Sequence, residues 1–309
     1  MKIKAFAEKN KYALASFAVL ALLSVTYGGF ESPAVFALRL LVCLGAALFF
    51  SFNVKDDEKI YFPAFSLLAL ISCNTVFLTC DVHILLSLSF FLLALAFAEK
   101  QKFLPPIFAG LCVLSQPLTV LFFVPAILFV LLLKKQKFPA IISAVVSVVA
   151  FVVTKLLSNI DFYADQFSSY YLSLHLVHFS TSHIRVLTDY LVASIPLLAV
   201  VIFVLIRAII KKDFLASVAT VASLLCSLYG FALSKNLETA IFILIPVFAL
   251  FVALSEETSF SSSTAFFKKH KLIFLLLVAF VAGYPLVFGQ IPYENNLFSK
   301  IAFIIFRQE

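Results

Sequence analysis

Residues 103–135 read FLPPIFAGLCVLSQPLTVLFFVPAILFVLLLKK, with no charged residue before Lys134. A helix that crosses a hydrocarbon core of about 30 Å needs about 20 apolar residues, so Phe103 to Leu133 is too long for one untilted crossing. The run is interrupted by Ser115, Gln116 and Pro117, and the residue before a proline is pushed out of the helical region. This predicts two short helices meeting at a polar break. They form either a pair of crossings or a re-entrant pair, and the distribution of charge favours crossings. Ser115 and Gln116 have a purely structural reading as well: they satisfy backbone groups freed by Pro117.

The whole chain is 63% hydrophobic and 13% charged, with a mean hydropathy of +1.11. Those values lie far from those of a soluble globular domain. Apolar windows run from Lys11 to Gly29, Pro33 to Asn53, Ile60 to Cys80, Val82 to Ala98, Phe138 to Leu157, Tyr190 to Ala208, Phe214 to Leu233, Thr239 to Leu254 and Leu272 to Gly289. Strands of a β-barrel would alternate polar and apolar residues, and these windows do not. The expectation is an all-α polytopic transmembrane bundle of about ten crossings. Residues 1–309 form a single membrane domain, since no polar stretch is long enough for its own core. The basic N-terminus and first window read as an uncleaved anchor in preference to a cleaved signal, because no small-residue cleavage site follows. Cys43, Cys73, Cys80, Cys112 and Cys226 fall within or beside apolar windows without paired spacing and read as small buried hydrophobes.

Charge supplies the orientation. With a cytoplasmic N-terminus, seventeen of the 23 basic residues fall in inner segments, among them Lys55, Lys59, Lys100, Lys102, Lys134, Lys135 and Lys137; Arg39, Lys155, Arg185, Lys235, Lys300 and Arg307 do not. This is a positive-inside bias. It accounts for the net charge of +7 without a nucleic-acid partner. Residues 255–271 then form an inner, serine-rich polar linker, and residues 158–189 an outer aromatic loop. In that loop Phe167, Tyr170, Tyr171 and Leu174 recur at helical spacing. They make either an aromatic anchor at headgroup level or a lid over a lipid-linked substrate, with Arg185 or a histidine pairing a phosphate. His175, His178 and His183 lack a carboxylate that would complete a metal set.

From Pro63 to Lys135 the sequence PAFSLLALISCNTVFLTCDVHILLSLSFFLLALAFAEKQKFLPPIFAGLCVLSQPLTVLFFVPAILFVLLLKK resembles the C-type (GT-C) superfamily of polytopic glycosyltransferases. A proline-started helix runs to an acid, Asp81. The next helix returns to a basic turn, EKQK, and a small-residue helix, FAGLCVLSQP, leads to an apolar helix ending in lysines. SPAVFALRLLVCLGAALFF, with Arg39, looks like the family's second helix. LSKNLETAIFILIPVFALFVAL, with Lys235 and Pro246, is similar to its late pattern of a polar turn before a proline-containing helix.

The resemblance implies transfer of a sugar from a polyprenyl-phosphate donor at the outer face. Glu31 is the candidate base that takes the acceptor proton. Glu31 and Asp81 are candidate ligands of a divalent metal cofactor, which would neutralise the phosphate leaving group. Arg39, His83, Tyr170, Tyr171, Arg185 and Lys235 are candidate substrate-binding residues. Each has a plainer alternative. Asp81 caps the next helix, His83 makes an interfacial hydrogen bond, Arg39 snorkels to headgroups, and Lys235 pairs with Glu238 at little gain. The family usually carries a long first outer loop with catalytic acids. Here that connection is only YGGFESP, whose sole acid is Glu31. Two other readings follow: a noncatalytic subunit of a membrane glycosylation assembly, and a lipid-linked saccharide transporter or flippase. No internal repeat of the kind transporters carry is seen.

Overall fold

A computed structural model of the chain describes residues 32–53, 82–98, 100–121, 123–161 and 163–164, with scattered positions within 11–22, 195–225 and 269–280. The elements among the described residues are all helical. They are α1 (Pro33–Asn53), α2 (Val82–Ala96), α3 (Leu104–Ser115), a 3₁₀ turn (Pro117–Leu121), α4 (Phe123–Leu133) and α5 (Lys137–Leu156).

Local chemistry explains where these helices begin and end. Ser32 starts α1 by accepting the Val35 N–H on its hydroxyl at 3.2 Å, and Pro33 follows at the first position, where a missing N–H costs nothing. Pro105 and Pro106 occupy the first turn of α3 for the same reason. α4 stops in a Schellman motif: the Gln136 N–H donates to Leu131 O at 2.8 Å and the Lys135 N–H to Leu132 O at 3.0 Å. Lys135 itself has φ 58°, a left-handed position usually given to glycine. The polar break expected at Ser115–Pro117 is present, and the 3₁₀ turn there separates α3 from α4. The window expected to run from Val82 to Ala98 gives a helix that ends at Ala96, because the Ala98 N–H turns back to Leu95 O at 3.2 Å.

Packing contacts fix the directions of these helices. A Cβ on Gly45 would lie 3.1 Å from Leu92 Cβ, and Phe52 meets Phe97 edge-on at 5.7 Å, so α1 and α2 run parallel. Ser87 bonds Cys112 while Phe90 and Phe97 both stack on Phe108, so α3 runs against α2. α4 returns beside α2, with Phe91 and Phe123 stacked at 4.4 Å. A three-residue turn then reverses the chain into α5, which packs parallel to α3 through Gly110 and Val146. The bundle therefore has two distinct ends. Lys100, Lys102, Lys134, Lys135 and Lys137 collect at one, and the 115–119 break and the start of α2 lie at the other.

α5 is built inside out by the standard of a soluble helix. Its inward stripe is small and partly polar (Ala140, Ser143, Ser147, Ala150, Thr154). Its outward face is aliphatic, with Ile141, Val145, Val148, Val149, Val152 and Leu156 all exposed. In water the hydrophobic effect would favour the reverse arrangement. Among the described residues α5 is the one helix both long and apolar enough to cross a bilayer; Pro33–Phe49, Val82–Ala96, Leu104–Ser115 and Phe123–Leu133 are shorter apolar helices.

Small residues set the closest approach, as in helix pairs that associate by packing and not by the hydrophobic effect. A Cβ built on Gly110 would sit 2.6 Å from Val146 Cγ1, and valine has little rotameric freedom in a helix. Gly110→Leu is expected to destabilise the fold by about 1–3 kcal/mol through overpacking, read as a lowered unfolding temperature of the purified protein in detergent. Adding Val146→Ala should recover most of that loss. Failure of the second substitution to help would show that the two side chains do not limit the α3–α5 approach.

Candidate functional site

The 115–119 break is stitched together by side chains from three elements. Ser87 on α2 donates to Cys112 O at 3.1 Å and lies 3.0 Å from the Cys112 thiol. The thiol reaches Thr119 Oγ1 at 3.5 Å, and that hydroxyl donates to Gln116 O at 2.7 Å. A second contact, to Cys112 O at 3.3 Å, competes for the same proton, and the shorter one is the stronger. The reading in which Ser115 and Gln116 satisfy the backbone freed by Pro117 is thus corrected. Thr119 supplies the hydroxyl that closes the break. Ser115 bonds back within its own helix to Leu111 O at 2.8 Å, and Gln116 Oε1 is buried without a hydrogen-bond partner although the residue is only 4% exposed.

Two hydroxyls are also buried and unsatisfied, those of Ser143 and Ser147 on the inward stripe of α5. Other buried hydroxyls behave differently: Ser89 and Thr154 back-bond to Leu85 O and Phe151 O at 2.7 and 2.8 Å, the usual way a helix absorbs a hydroxyl. A buried hydroxyl without a partner costs about 1–3 kcal/mol. Ser143→Ala and Ser147→Ala are therefore expected to leave the unfolding temperature unchanged or raise it, whereas Ser87→Ala should lower it by the equivalent of about 1 kcal/mol. Equal losses from all three would show that the α5 hydroxyls are engaged. These serines were missed in the sequence, although their four-residue spacing on one face of an apolar helix is a readable signal.

Of the residues expected to form a site, Arg39 and His83 are described. Arg39 is buried on α1, 1% exposed. It lies six residues before Gly45, which packs against Ser89 and Leu92, so it is about level with the first turns of the parallel α2. That burial overturns the snorkelling reading, because a side chain inside the bundle does not reach headgroups. His83 is half-buried in the first turn of α2. Since Ser87 is level with Cys112 and α3 runs against α2, His83 is about level with Ser115 and Gln116. Lys155, in the last turn of α5, belongs to this end too. The structure thus brings Arg39, His83 and the polar break to one end of the bundle, the end away from the five lysines.

A buried guanidinium, an imidazole and an unsatisfied amide oxygen offer charge and hydrogen-bonding capacity for a polar, anionic ligand. Glu31, Asp81, Tyr170, Tyr171, Arg185 and Lys235 lie outside the described residues, as do the outer aromatic loop beyond residue 164 and the inner linker up to residue 268. The carboxylate pair that would hold a divalent metal is among them. Among the described residues no group of three or more His, Cys, Asp or Glu side chains is placed to hold a metal ion. Compared with protein-family models, with curated proteins and with solved structures, the chain finds no match.

Proposed function

We propose that the chain is a polytopic integral membrane protein of about ten crossings with a C-type glycosyltransferase-like core, and that it transfers a sugar from a polyprenyl-phosphate donor at the outer face. The observation that carries the membrane part is the inverted α5: aliphatic side chains outward, small and hydroxylated ones inward. Lipid tolerates that arrangement, because helices there associate through small residues and interhelical polar contacts. The gathering of Lys100, Lys102, Lys134, Lys135 and Lys137 at one end agrees with a cytoplasmic face. Parallel α1 and α2 are also what a further crossing at Ile60–Cys80 would produce.

Support for the transferase part comes from the opposite end, where Arg39, His83 and the polar break share a level. Charge developing on a polyprenyl-phosphate leaving group needs a cation held away from bulk water, and Arg39 is a buried one. Glu31 would be the base and Asp81 its partner. The test is reconstitution of the purified protein into liposomes with labelled polyprenyl-phosphate sugars. A labelled product that requires the donor is expected. Absence of turnover with every donor would instead favour the noncatalytic-subunit reading, which the short YGGFESP connection supports. Donor movement between leaflets without transfer would favour a flippase.

A further inference from the structure

The tetrapeptide Lys-Gln-Lys-Phe occurs twice, at Lys100–Phe103 and at Lys135–Phe138. Each copy opens a helix with proline in its first turn, α3 in one case and α5 in the other. Gly110 of α3 packs against Val146 of α5, and the offset between those residues equals the spacing of the two copies to within one residue. Because the helices are parallel, the copies come to the same end of the bundle at nearly the same level. A duplication too short to register as a repeat becomes, in three dimensions, a paired surface.

The side chains of that surface are displayed. Lys100, Lys102, Lys135 and Lys137 are exposed, Phe103 is 66% exposed and Phe138 is 56% exposed. Lys134 adds a fifth cation beside them, and Glu99, outside the described residues, is the acid next in sequence. Lys100 is held over the Phe52 ring, its Nζ 5.3 Å from the centroid. Lys135 occupies a left-handed backbone position, φ 58°, that glycine would fill without strain. The turn thus carries a lysine where the backbone alone would favour glycine.

We propose that this paired basic and aromatic end binds the clustered phosphate headgroups of anionic lipids in the protein's own leaflet, lysines on the phosphates and the two phenylalanines at the acyl boundary. The inference rests on the membrane reading above. It favours lipid over a soluble polyanion because the surface is continuous with the aliphatic face of α5, which begins at Ile141 one turn beyond Phe138. A soluble polyanion would leave both phenyl rings in water. Lysines suit the task as mobile point charges on long apolar stems, and each lysine near an anionic surface strengthens binding roughly fivefold.

The experiment places the purified full-length chain in phosphatidylcholine nanodiscs containing a minority of phosphatidylglycerol and measures, by mass spectrometry, how far phosphatidylglycerol is enriched among lipids that remain bound on extraction. Wild type should be enriched. Lys135→Gly should lose roughly fivefold in enrichment while its unfolding temperature holds or rises, which separates loss of charge from loss of fold. The combined Lys100→Gln, Lys102→Gln, Lys135→Gln and Lys137→Gln variant should lose enrichment altogether, and the control Lys155→Gln and Lys300→Gln, at positions outside the inner segments, should keep it. Unchanged enrichment in the fourfold variant, or equal loss in the control, overturns the proposal. Retention of an added oligonucleotide by the same lysines, without lipid enrichment, also overturns it in favour of a soluble polyanion. A wild-type chain that does not enter the nanodisc defeats the membrane reading itself; one that enters but shows no enrichment defeats this inference alone.

Discussion

Glu31→Gln and Asp81→Asn are each expected to lower donor-dependent sugar transfer by about 10²–10⁴-fold, the range supplied by a positioned general acid or base. Both substitutions keep size and remove only the charge, so an amide at either position can accept no proton and binds a divalent ion poorly. If Glu31 is the base, its variant should lose kcat with little change in donor KM, because the proton is removed only as the bond forms. If the two carboxylates share a metal, raising the metal concentration should partly rescue the Asp81 variant, and should rescue the Glu31 variant less, because that variant also lacks the base. The measurement is initial-rate kinetics with labelled donor in liposomes. Activity within a fewfold of wild type in both variants would remove these carboxylates from the chemistry. Arg39 is a less clean probe, since it is buried in the bundle and its replacement disturbs packing as well as charge.

Phe91→Ala is expected to lower stability by about 3 kcal/mol. Phe91 and Phe123 are both wholly buried, and their rings stack at 4.4 Å with planes 20° apart. This contact ties α2 to the start of α4, just past the 3₁₀ turn. Truncation would open a cavity and forfeit both dispersion and ring–ring contact. The expected loss lies at the lower end of the range for soluble cores because, on the proposed membrane reading, removing apolar surface from water contributes little. Thermal unfolding in detergent provides the readout, with Phe129→Ala on α4 as a comparison expected to cost less. A Phe91→Ala protein as stable as wild type would mean that the α2–α4 contact does not hold the bundle together.

Sequence and structure agree most closely where backbone chemistry is local. Pro117 announces the break between α3 and α4, Pro33 announces the start of α1, and the apolar windows at Pro33–Asn53, Val82–Ala98 and Phe138–Leu157 announce helices, because each signal acts within a few residues. The site was less legible. Arg39 has two sequence readings, substrate-binding cation or snorkel to headgroups, and no periodicity within α1 says whether it faces the bundle or the surface. The four-residue spacing of Ser143 and Ser147 is readable, but that their hydroxyls go unsatisfied is not, since a serine in a helix ordinarily bonds back to its own turn. Thr119 looked like part of an apolar run, yet it closes the break by accepting from a thiol on the preceding helix and donating to Gln116 O.

Local sequence signals account for the helical character of the described residues and for the break at Ser115–Pro117, and they put the lysines of the described connections at 100–102 and 134–137; these follow from dihedral limits, caps and charge counted along the chain. Which ends of the helices meet emerges from long-range packing. It set α3 parallel to α5 through Gly110, brought two distant Lys-Gln-Lys-Phe segments side by side, and put Arg39 inside the bundle near the level of His83 and Gln116. The reason is physical. Helix direction and facing are fixed by contacts between residues far apart in sequence, at small residues that allow close approach, and a one-dimensional pattern records the composition of those contacts without their pairing.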